Sequence, residues 1–169
     1  MTTPPSDSRR RVLGVIGPGE EATPRDVADA FEVAASAARA GCMVLTGGRS
    51  IGVMDAASRG ARSADGIAIG ILPGRDVADA SRALDVAIAS GFGEMRDQLV
   101  VLSSDALVVC GMSAGTAIEA SLAIKAGKRI VFLRPEAEVR AFYEKLAGPR
   151  VLVATTAEEA VSMALGGET

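Results

Sequence analysis

Four short glycine-rich segments hold the residues best suited to chemistry: Gly17-Pro18-Gly19-Glu20, Thr46-Gly47-Gly48-Arg49-Ser50-Ile51-Gly52, Ser90-Gly91-Phe92-Gly93-Glu94-Met95-Arg96 and Gly111-Met112-Ser113-Ala114-Gly115-Thr116. Glycine lets main-chain N–H groups approach oxygen ligands closely. Where a helix follows, its first amides and the positive end of its dipole favour an anion. The chemistry indicated is capture of a small phosphorylated, nucleotide-like ligand. Its candidate contacts are Gly17, Gly19, Gly47, Gly48, Arg49, Gly52, Gly111, Ser113, Ala114, Gly115 and Thr116. Arg49 reads either as a charge clamp or as a solvent-facing arginine. Gly17 and Gly19 read equally as a tight turn.

Two further residues qualify as catalytic groups if the protein turns over its ligand. Arg96 follows a glycine-rich loop and opens a helix, where a cation opposes the macrodipole. Glu119 follows Gly115-Thr116 by one turn and either faces the same ligand or closes a T-x-x-E capping box with Thr116. The chain has no histidine, so histidine-based triads and metal sites are excluded. Its two cysteines, Cys42 and Cys110, each lie in an apolar run and read as reduced core thiols. No metal site and no required cofactor are expected.

These residues need a frame that brings four loops together. Seven apolar runs, near 11–16, 42–46, 66–72, 84–89, 105–110, 129–133 and 150–154, alternate with helical segments near 24–40, 52–63, 94–103, 116–126, 136–146 and 157–165. Unbroken apolar strands alternating with helices predict an α/β fold, a doubly wound parallel sheet covered on both faces. Thr23-Pro24 and Thr156 with Glu159 supply helix starts, and Gly127 and Gly148 supply helix ends. In such sheets ligands bind beyond the carboxyl ends of the strands, at a topological switch point, and all four glycine segments follow strands.

Composition narrows the function. The 169 residues suit one domain over 11–169 behind a flexible polar tail, 1–10. Aromatics are only 3% while hydrophobic residues are 49%, so the core must be aliphatic. Net charge is −3 with scattered Lys and Arg, which disfavours nucleic acid. No apolar stretch is long enough to span a membrane or to act as a signal peptide, so a cytoplasmic location is expected. Gly17-x-Gly19 falls short of a dinucleotide fingerprint, because strand two ends in Thr46-Gly47-Gly48 with no carboxylate for ribose hydroxyls.

Residues 47–74 (GGRSIGVMDAASRGARSADGIAIGILPG) and 94–133 (EMRDQLVVLSSDALVVCGMSAGTAIEASLAIKAGKRIVFL) resemble the LOG-like (Lonely Guy, "lysine decarboxylase-like") Rossmann superfamily. Within it they are most similar to the short bacterial branch related to the molybdenum cofactor carrier protein. The resemblance implies a homo-oligomer, dimer or tetramer. It implies one of two activities: binding of a molybdopterin cofactor for carriage or storage, or hydrolysis of the N-glycosidic bond of AMP-like nucleoside 5′-monophosphates to release ribose 5-phosphate. For the hydrolase it assigns catalysis to Arg96 and Glu119, and phosphate to the loop 112–116. The sequence departs from the hydrolase pattern where Gly111-Met112-Ser113 replaces Pro-Gly-Gly, leaving the Ser113 hydroxyl as one replacement donor to phosphate. It departs again at Asp97, whose charge opposes a phosphate nearby.

Overall fold

Every apolar run lacking a helical period becomes a strand. In the computed structural model, which describes residues 9–167, these are β1 (Val12–Ile16), β2 (Met43–Thr46), β3 (Ala68–Leu72), β4 (Val86–Ala89), β5 (Ala106–Cys110), β6 (Arg129–Leu133) and β7 (Val151–Ala154). All neighbours pair in parallel, in the order β4-β3-β2-β1-β5-β6-β7. The chain winds outward from β1 to β4, then crosses back to β5 and winds outward the other way. The switch point therefore lies between β1 and β5. Of the expected tail, residues 1–8 lie outside the described part. Arg9 reaches Asp105 at the start of β5 with two hydrogen bonds, 2.9 and 2.5 Å.

The helices α1 (Pro24–Arg39), α2 (Gly52–Ser63), α3 (Arg96–Ser103), α4 (Ala114–Lys125), α5 (Ala137–Ala147) and α6 (Ala157–Ala164) cover the sheet. Period-two alternation sorts the core into two layers. Ala106, Val108 and Cys110 of β5 pack in one cluster with Ala30 and Val33 of α1, Val53 and Ala57 of α2 and Val161 of α6. Leu107 and Val109 face the other, with Val100 of α3, Ala120 of α4 and Tyr143 of α5. Small alanines bring α1 and α2 close enough that a Cβ on Gly60 would strike the Phe31 backbone. Cys42 and Cys110 are both buried and free. No helix among the described residues is long and apolar enough to cross a membrane.

Three local expectations are corrected. First, β4 begins at Val86 rather than near 84 and is not buried; all four of its residues are exposed, because no helix forms between β3 and β4 to cover it. Second, the segment from Glu94 is a 3-10 turn, Gly93–Met95, that becomes α-helical only at Arg96; Met95 is 73% exposed. Third, α4 starts at Ala114, not near 116. Ser113 is its N-cap, accepting from the Thr116 amide at 3.3 Å, so Thr116 and Glu119 form no capping box. At α6, Thr156 caps the Glu159 amide as expected, but the Glu159 carboxylate turns to the amide and hydroxyl of Thr155.

Candidate functional site

The loops after β1 and β2, the start of α3 and the start of α4 enclose one hollow of about 220 Å³ at the carboxyl edge of the sheet. Gly17, Gly19, Gly47, Arg49, Arg96, Ser113, Gly115, Thr116 and Glu119 all border it. Gly48, Gly52, Gly111 and Ala114 do not. Gly48 has φ 78°, and a Cβ there would come within 2.9 Å of the Gly70 Cα, so it lets β2 leave the sheet over β3. Gly52 has φ 53° and sits against the carbonyls of Pro18 and Gly19, which lets the Val53 amide donate to Pro18 O at 3.0 Å. Gly111 has φ 79°, makes room for the Asp26 carboxyl and opens on a neighbouring hollow. Ala114 is exposed at the first position of α4.

Two of the bordering glycines have distinct physical roles. A Cβ on Gly47 would collide with the Arg96 guanidinium, so the bare backbone of Gly47 is the seat of that side chain. Gly115 is different: a Cβ there would meet nothing nearer than the Ser113 hydroxyl at 4.0 Å, and its φ is not positive. Neither packing nor conformation demands glycine at the second helical position, where it costs helix stability. Its effect is to leave the first turn of α4 uncovered. The amides of Ala114 and Gly115 have no acceptor within the helix. The Ser113 hydroxyl accepts from the Thr116 amide and shares a 3.0 Å hydrogen bond with the Thr116 hydroxyl, in which either oxygen can be the donor.

Beneath this turn lie three ionisable side chains. The Arg96 side chain is 12% exposed, and its buried Nε has no hydrogen-bond partner; the nearest carboxylate oxygen is Asp97 Oδ1 at 3.4 Å. Glu119 is 7% exposed, and its side chain makes no hydrogen bond to another described residue. Burial pushes its carboxyl up to about 8; the Asp97 charge adds to this and Arg96 partly offsets it. Asp97 is also raised, first by burial, with Arg96 pulling it down and Glu94 pushing it up. At neutral pH, Glu119 is thus a protonated acid, one donor and one acceptor, beside a guanidinium. Arg49 approaches Glu20 Oε1 at 3.4 Å across the mouth.

Sequence reasoning missed Glu20 and Glu21 as wall residues, and it placed Asp97 near the phosphate only as an opposing charge. The signal for Asp97 was its adjacency to Arg96, and for Glu20 its place directly after Gly17-Pro18-Gly19. The position of Asp97 next to Arg96 makes it that arginine's counter-charge. Met54 also borders the hollow and is buried.

The sequence profile of the SLOG cluster4 family matches residues 10–161. The fold superposes on the molybdenum cofactor binding protein of Rippkaea orientalis with a TM-score of 0.90 and 38% identity, covering 92% of this chain and 96% of that one. It superposes on the molybdenum cofactor carrier protein of Chlamydomonas reinhardtii with a TM-score of 0.86 and 40% identity, over 92% and 96%. A protein of Archaeoglobus fulgidus without assigned function is 38% identical over 152 residues, 89% of this chain and 91% of its own length.

Proposed function

The chain belongs to the SLOG cluster4 family, and from that premise we propose that it binds a phosphorylated, nucleotide-like small molecule in the switch-point hollow, with the molybdenum cofactor as its carried cargo. The observation that carries this reading is the unforced Gly115, which leaves the first turn of α4 bare above a buried, incompletely paired Arg96. The phosphate rests on the amides of Ala114 and Gly115, with Arg96 as the nearest cation. Gly17, Gly19 and Gly47 form the opposite wall, and Arg49 clamps the mouth. The names of the two solved relatives support the choice of cargo. The test is gel filtration of the protein after incubation with freshly released cofactor, reading the co-eluting pterin by fluorescence after oxidation. Co-elution that is lost in Arg96→Ala is expected; absence of pterin from the wild-type peak contradicts the reading.

A second reading, a nucleoside 5′-monophosphate phosphoribohydrolase, is favoured by one observation: Glu119 is buried at the wall of the hollow, where desolvation raises its carboxyl to about 8. A protonated acid can donate to the departing base while Arg96 steadies the phosphate or ribose. Incubation with AMP and measurement of free adenine and ribose 5-phosphate decides it. Release abolished by Glu119→Gln supports the hydrolase; no release, or release indifferent to that change, excludes it.

We also propose self-association as a dimer or tetramer. Val86 and Ile88 on the edge strand, Phe92 and Met95 before α3, Leu102 on α3 and Ile118 on α4 are large apolar side chains between 45% and 73% exposed. A second copy of the chain would remove them from water.

A further inference from the structure

A second hollow, of about 190 Å³, opens beside the first at the same edge of the sheet. The turn 111–113 borders both: Gly111 and Met112 line one, Ser113 the other. Its floor is the ends of β5 and β6, and its walls are the first turns of α1 and the approach to α5. At its back lies Asp29, 5% exposed in the second turn of α1 and paired with Arg134 through two hydrogen bonds, one of them Nε to Oδ2 at 3.3 Å.

The pair has one further tie, since Arg134 Nη1 donates to the Thr155 carbonyl at 3.3 Å. Asp29 is flanked by Ala30 and Val33 of the core, in a helix interior that disfavours aspartate. Only the carboxylate is buried, the Arg134 side chain being 32% exposed, and a desolvated charge gains little over an apolar residue of the same volume. Arg134 moreover holds φ 48°, a left-handed backbone that a bulky non-glycine residue rarely takes. A strained residue and a buried charge therefore meet at the wall of an open hollow, the pattern of a ligand-binding position. Asp26 adds a second carboxyl, bound on one oxygen by the Thr23 amide at 2.9 Å. Met112 and Val139 provide apolar sides.

We propose that this second hollow receives the heterocycle of the ligand, a fused ring carrying a 2-aminopyrimidin-4-one edge, as in a pterin or a guanine. Resting on the reading above, the phosphate lies across the 111–113 turn on α4. The ring's adjacent amide and amino N–H groups donate to the carboxylates of Asp29 and Asp26. Its carbonyl oxygen accepts from Arg134, and Met112 and Val139 contact its faces. Adenine presents the opposite donor and acceptor order at that edge and is rejected, because the buried carboxylates are then left facing an acceptor.

Binding of neopterin, guanosine and adenosine, all without phosphate, is measured by fluorescence or calorimetry on the wild type, Asp29→Asn and Val139→Trp, with inorganic phosphate and AMP as separate probes. Neopterin or guanosine is expected to bind roughly tenfold or more tightly than adenosine. That binding is lost in Val139→Trp, which fills the hollow without touching the ion pair, while phosphate binding persists. Preference for neopterin over guanosine identifies a pterin; the reverse identifies a guanine nucleotide. Equal binding of all three, or binding unchanged in Val139→Trp, overturns the assignment even if Asp29→Asn fails to fold. Failure of phosphate and AMP to bind the wild type overturns the phosphate reading alone.

Discussion

Glu119 lies one turn and a half into α4, and its carboxyl holds a proton because burial penalises the charge more than Arg96 relieves it. The proton is bound more tightly in the fold than in the unfolded chain. Stability linked to Glu119 is therefore greatest below the ordinary value of 4.5, falls as pH climbs towards about 8, and levels off above it. Glu119→Gln is free of this loss, so its melting temperature gains on the wild type between pH 5 and pH 8, by roughly 2–4 °C for each kcal/mol. Calorimetry across that range checks it; a pH-independent offset contradicts the protonated state. Gly47 makes a second prediction. Its Cβ-less backbone seats the Arg96 guanidinium, so Gly47→Ala displaces the cation and weakens phosphate binding, with little change in secondary structure by circular dichroism.

α4 shows how a helix start is divided between stability and binding. Ser113 supplies the cap and Gly115 supplies the bare surface. Ser113→Ala is expected to cost about 1 kcal/mol of stability. Gly115→Ala is expected to do the opposite, adding roughly 0.5–1 kcal/mol through better helix propensity, while weakening anion binding by covering the first turn. Chemical denaturation and phosphate titration of the two variants together test the division; a destabilised Gly115→Ala means that glycine serves the fold and not the ligand. The element order was legible because apolar runs and caps agree: Thr23 with Pro24 begins α1 where the sequence places it. The start of α4 was misplaced because Ser113 and Thr116 both suit an N-cap, and only the backbone conformation of Ser113, φ −142° and ψ 176°, selects the earlier one. The exposure of β4 was illegible for a different reason. Its sequence, VAIA, is as apolar as a central strand, and burial depends on a covering helix that the segment 73–85 does not form.

In the whole molecule, the reversal of strand order between β1 and β5 assembles the site, gathering loops separated by up to a hundred positions in sequence onto one edge. That convergence followed from the βα alternation alone. The ionisable trio beneath it did not, since neither the seating of Arg96 on Gly47 nor the burial of Glu119 has a local sequence signature. The apolar face of β4, α3 and α4 predicts that sedimentation velocity finds a dimer or larger species, and that Ile88→Glu shifts it towards monomer; a wild type that stays monomeric at high concentration contradicts self-association. The central claim is that a phosphate settles on the first turn of α4. A crystal soaked with GMP tests it most directly. The phosphate is expected within hydrogen-bonding distance of the Ala114 and Gly115 amides, with Arg96 as its nearest cation; a phosphate bound anywhere else on the molecule, with that turn left to solvent, contradicts it.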